Sequence, residues 1–109
     1  MPTTYKVLGQ LAATANTEAN VYVVPSATST VISTVTICNR SAAPTTYRLN
    51  VKVANAATAN AQFIAFDAVA PGNDTVFLTL GLTLGAGDVF AANCAASTVS
   101  ISAFGSEIA

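Results

Sequence analysis

The chain has 109 residues, of which 52% are hydrophobic and only 8% charged, where soluble domains average about 25% charged. A formal net charge of −1 removes any electrostatic case for nucleic acid or an anionic membrane as partner. The absence of histidine excludes imidazole catalysis, His-ligated metal and His-based pH switching.

At this length one domain, 1–109, is expected, and a chain of this mass buries about two-thirds of its unfolded surface. Hydrophobicity this high with net charge this low does not describe a disordered chain. The longest charge-free stretch, Ala19 to Asn39, contains Asn20, Pro25 and many Ser and Thr, so it is no apolar membrane span. The opening MPTTYKVLGQ lacks the basic and apolar regions of a secretory signal, so synthesis in the cytoplasm is expected.

Strand patterns recur along the chain with turn signals every 8–12 residues, as in an all-β sandwich or barrel. Tyr5–Leu11 is the first, followed by polar Ala12–Asn20 and then Val21–Val24, which Pro25 ends. Thr28–Cys38 is a long strand of β-branched residues, with Val31, Ser33, Val35 and Ile37 expected on one face. A turn over Asn39–Pro44 leads to the cleanest alternation in the chain. There Tyr47, Leu49, Val51 and Val53 should face the core, and Thr46, Arg48, Asn50 and Lys52 the outside.

Ala54–Asn60 is too short for a stable helix and reads as a loop or single turn. Phe63–Phe66 is a short strand, Asp67–Asp74 a Pro-Gly turn region, and Thr75–Leu80 the next strand. Gly81, Gly85 and Gly87 read as turns around Leu82–Leu84, before strands at Asp88–Ala92 and Ser97–Phe104. Seven or eight strands with no credible helix predict a two-sheet antiparallel β-sandwich of about eight strands, Ig-like or jelly-roll-like. The short connections leave no room for parallel crossovers.

Little in this pattern carries chemistry. Asp67, Asn73 and Asp74 could offer oxygen ligands to a hard cation, but Asp and Asn favour turns for their own backbone bonds. The five acids show no cleft-spanning pair, there is no G-x-S-x-G elbow, and LGLTLGAGD fits no phosphate-binding spacing. No enzyme activity, metal or cofactor is therefore expected. Cys38 and Cys94 read as two small buried apolar residues, left unbridged by a cytosolic origin. Arg40, Arg48 and Lys52 are too few for a nucleic-acid patch and read as cations at the rim of a protein interface. The remaining surface must be mostly Thr, Ser, Asn and Ala, side chains that lose little rotamer entropy on contact.

Several segments carry a resemblance. Tyr5-Lys6-Val7-Leu8-Gly9-Gln10, Thr36-Ile37-Cys38-Asn39-Arg40, Asn73-Asp74, Leu78–Leu84, Gly87-Asp88-Val89 and Phe104–Ile108 together resemble small virion structural proteins of tailed bacteriophages, including cyanophages. The resemblance spans nearly the whole chain. It implies a β-sandwich that packs onto the virion, is made in the host bacterial cytoplasm, and has no catalytic residues to carry over. Its first implication is a capsid cement (decoration) protein that meets the major capsid protein and itself, as a closed homo-oligomer with a trimer expected first. A tail, neck or baseplate adaptor meeting tail proteins is the alternative. A carbohydrate- or receptor-binding module is a third reading, weakened by the absence of Trp.

Overall fold

The computed structural model describes residues 2–109. Eight strands follow in chain order: β1 Thr3–Ala12, β2 Ala19–Val23, β3 Ser29–Asn39, β4 Thr45–Lys52, β5 Phe63–Ala70, β6 Asp74–Leu84, β7 Val89–Cys94 and β8 Val99–Ile108. They form two four-stranded antiparallel sheets packed face to face, one ordered β1-β8-β3-β6 and the other β2-β7-β4-β5. The pairs β4/β5, β3/β6, β2/β7 and β1/β8 are the rungs of one long folded-back ribbon. Rolling that ribbon adds the ladders β3/β8 and β4/β7. This order is a jelly roll and not an immunoglobulin sandwich. Among the described residues no helix is long and apolar enough to cross a membrane.

The β1-β8-β3-β6 sheet sends Ile32, Val35, Ile37, Val99, Ile101 and Ala103 inward. The other sheet answers with Tyr47, Leu49, Phe90, Ala92 and Cys94. At one end the sheets are tied by polar groups. Tyr22 of β2 donates to Glu107 of β8 and shares a 2.8 Å hydrogen bond with Thr30 of β3, while Lys6 of β1 pairs with Glu107 at 2.7 Å. At the other end Asn39 is fully satisfied. Its amide donates to the carbonyls of Ala43 and Ala70, and its Oδ1 accepts from Ser41 N and Thr98 Oγ1. That network fixes the turn into β4.

Gly9 marks the closest approach of the two sheets, since a Cβ there would collide with the carbonyl oxygen of Val21 in β2. Only glycine allows that contact. Gly105 meets a different constraint, within one sheet: a Cβ there would collide with the carbonyl oxygen of Val31 on the paired strand β3, next to the register shift between Ile32 and Thr34.

Several sequence expectations are corrected here. The register shift at Ser33 breaks the alternation of β3, so Ile32 and Val35 are both buried while Ser33 is exposed and Val31 sits on the outer face. Val53 is 67% exposed, because Ala54 and Asn55 take left-handed backbone conformations and carry the chain out of the sheet after Lys52. Asn50 is 1% exposed although it lies on the outer face, because the segment 53–62 folds back over it. Val51 is half-buried. Gly81 is no turn and lies inside β6, while β5 runs on to Ala70 and confines the Pro-Gly turn to the next three residues.

Candidate functional site

The charged groups the sequence singled out are bound within the chain. Arg48, on the outer face of β4, donates from Nε to Asp67 Oδ1 at 2.7 Å and from Nη2 to Oδ2 at 3.2 Å. The same guanidinium lies 4.0 Å from the ring centroid of Phe66, which meets Phe63 edge-on at 5.0 Å. The Asp67 hydrogen bonds raise the Arg48 pKa and hold the Asp67 carboxyl below the usual range. Asp67 sits in the left-handed region at φ 55°, a conformation Asp tolerates better than most residues.

Lys52 reaches Glu18 Oε2 at 3.0 Å, and Glu18 also accepts from Thr58 and Asn50. Burial alone would raise the Glu18 pKa. The hydrogen bonds from Thr58, Lys52 and Asn50 outweigh it and leave the carboxyl below its ordinary value. Gln62 completes this cluster by accepting from Asn50 and Ala59 N and donating to the carbonyl of Ala57. Arg40 donates to the carbonyl of Ser97 at 3.1 Å. Asp88 accepts from the backbone N–H of Ala54 and of Gly85, and Asp74 from that of Thr75. With the Lys6–Glu107 pair, every charged side chain has a partner inside the molecule.

Two regions of the surface bear on function. One is an open polar groove of about 460 Å³ on the outer face of the β2-β7-β4-β5 sheet, lined by Asn16, Thr46, Arg48, Asp67, Asn93 and Ala95. Arg48 lies over one face of Phe66, which stays 57% exposed. Among the described residues, no three His, Cys, Asp or Glu side chains converge as metal ligands would.

The other region is the outer face of the β1-β8-β3-β6 sheet. Register places Tyr5, Ser106, Val31 and Thr83 in one row across it, Val7 with Phe104, Thr34 and Thr79 in the next, and Gln10, Ser102, Thr36 and Phe77 in another. No residue of these rows is charged. Tyr5 is 83% exposed and Phe77 71% exposed, and a depression of about 510 Å³ runs between Tyr5, Val7, Val31 and Phe104, with Lys6 the one charged residue of its lining. Sequence reasoning placed Arg40, Arg48 and Lys52 at the rim of an interface and left the interface itself to Thr-, Ser-, Asn- and Ala-rich surface with no face assigned. It passed over this face because the register shift at Ser33 hides which residues of β3 point outward. The lack of charge in Thr75–Leu84 was the available signal.

Cys38 belongs to this outer face, in a row with Ser100 and Thr75, whereas Cys94 lies in the core; both are free thiols. No family model matches the chain, and neither a curated protein nor a solved structure matches it.

Proposed function

We propose that this chain is a structural protein of a bacteriophage virion, acting as a capsid cement that holds neighbouring shell subunits together. The observation that carries the reading is the uncharged outer face of the β1-β8-β3-β6 sheet, with Tyr5, Val7 and Phe77 exposed on a molecule whose charges are all bound internally. An uncharged face with aromatic side chains exposed at both of its edges suits contact with another protein. Threonine and serine around it lose little entropy on contact, and the tyrosine and phenylalanine supply anchoring area. The jelly roll supports the reading by analogy only, since capsid and lectin domains share it.

The mechanism is addition of contact area without chemistry. Each copy meets the major capsid protein and a further copy of itself, and many modest contacts on one shell sum through effective concentration. Arg48 and Lys52 belong to the opposite sheet, where Asp67 and Glu18 hold them, and so lie away from this face; Arg40, just past the end of β3, is the cation left to tune salt dependence from the rim. Synthesis in the host cytoplasm and residence in the virion complete the reading.

Densitometry of purified virions tests it. Hundreds of copies per particle are expected. A few to a few dozen copies would move the protein to the tail, neck or baseplate, and binding of glycans by the isolated chain would favour a receptor-binding role.

A further inference from the structure

A jelly roll leaves four sheet edges, here β1, β6, β2 and β5. An edge strand exposes a row of unpaired N–H and C=O groups, and proteins that remain monomeric blunt such rows with charge, brevity, bulges or proline. Three of these edges are blunted. β1 carries Lys6 and a register shift between Val7 and Gly9. β2 is five residues long, with a shift between Asn20 and Tyr22. β5 shifts register twice and holds Asp67 at φ 55°.

β6 is different. It is eleven residues long, and from Thr75 to Leu84 it has neither charge nor proline. Where its ladder with β3 shifts, Leu80 and Gly81 oppose Ser33, but the alternation along β6 is unbroken. Thr75, Phe77, Thr79, Gly81 and Thr83 take one face, and Val76, Leu78, Leu80, Leu82 and Leu84 the other. Val76, Leu78, Leu80 and Leu82 pack on the core yet stay half-exposed, so the core is open along this edge.

We propose that β6 is a self-docking edge, at which a second copy of this chain pairs antiparallel about a twofold axis through Thr79. The two β1-β8-β3-β6 sheets become one eight-stranded sheet. The free backbone row specifies a strand as occupant, and the sequence of β6 specifies itself. With Thr79 opposite Thr79, Thr75 meets Thr83 and Phe77 covers Gly81, the aromatic-over-glycine pairing that compensates a missing side chain at an edge. On the inner side Val76 meets Leu82 and Leu78 meets Leu80, which closes the open core. No like charges meet anywhere along Thr75–Thr83.

A twofold closes after two copies, since each copy offers one such edge. The expected closed oligomer is thus a dimer in place of a trimer. Nine paired residues span about 30 Å, a footprint well below the roughly 800 Å² per partner of standard interfaces. The isolated dimer is therefore weak, and the high local concentration within an assembly populates it. The inference rests on the self-association in the proposed function, but virion copy number has no part in its test.

The test is sedimentation of the purified full chain up to several hundred micromolar, together with cysteine cross-linking in a Cys38→Ser background. Antiparallel partners lie about 4.5–5.5 Å apart at Cα, within disulfide reach. Thr79→Cys should form a covalent dimer under mild oxidation. Thr75→Cys and Thr83→Cys should not cross-link alone but should do so when mixed. Thr79→Lys, exposed and away from the core, should weaken the dimer at least tenfold with an unchanged circular dichroism spectrum. A monomer at the highest concentration, a trimer, or a dimer unaffected by Thr79→Lys and silent to Thr79→Cys would each overturn the proposal.

Discussion

Asn50 donates its side-chain amide to Glu18 Oε1 at 3.2 Å, joining positions 32 residues apart beneath the folded-back segment 53–62. The pair turns an outward-facing position of β4 into a buried one. Asn50→Ala should therefore cost about 1–3 kcal/mol, the range for removing a buried hydrogen-bonding group. Urea denaturation checks this, with the exposed Thr58 of the same cluster as a comparison site. A change of only a few tenths would mean that the segment does not cover Asn50 in solution.

Stability should fall in acid. The carboxyls of Glu18, Asp67 and Glu107 are all held below their ordinary values, Glu107 by hydrogen bonds from Lys6 and Tyr22. A depressed folded-state pKa stabilises the protein above the unfolded value and loses that effect as pH falls through the folded one. Melting temperature should then be level above about pH 5 and drop progressively below pH 4.5. A flat profile down to pH 3 would contradict these pairs.

At high pH the tyrosines limit the fold. Burial, with the Glu107 carboxylate beside it, pushes Tyr22 up to about 12, and burial raises Tyr47 as well. A raised pKa keeps the neutral phenol in the folded state, so its stabilisation is complete below pH 10 and is lost between pH 10 and about 12. Phenolate absorbance should rise late in that window together with unfolding, and Tyr22→Phe should remove part of the delayed signal.

The two ends of the best-alternating run should behave oppositely. Leu49 is fully buried, so Leu49→Ala should cost about 2–5 kcal/mol. Val53 is 67% exposed, so Val53→Ala should stay within about 0.5 kcal/mol. Equal effects in chemical denaturation would show that the chain does not leave the sheet at Lys52.

The thiols should differ in reactivity. Cys94 is buried in the core, and burial pushes its pKa up to about 11, which starves it of thiolate. Cys38 is partly exposed on the outer face of β3. Brief alkylation of the native protein, mapped by mass spectrometry, should label Cys38 first. Both thiols should react after denaturation without reductant.

The strand count, the absence of helix and the sandwich architecture were legible because β-branched residues, period-two alternation and turn residues act locally. Tyr47 and Leu49 could be assigned to the core from their own strand, since nothing interrupts β4 before Lys52. The site was less legible. The partners of Arg48 and Lys52, Asp67 and Glu18, lie 19 and 34 residues away, and nothing local to β4 announces them.

By itself, then, the sequence determined how much surface could be buried, which stretches would extend, and that almost no charge would be available for recognition. Only the tertiary structure decided which of those stretches face inward on β3, because a single extra residue at Ser33 reverses the facing of everything beyond it. It also decided that Asn50 is buried and Val53 is not, since covering a strand depends on where a distant segment folds back. The choice of jelly roll over immunoglobulin order has the same origin. Strand order is set by long-range pairing energies summed over whole sheets, and no window of adjacent residues contains them.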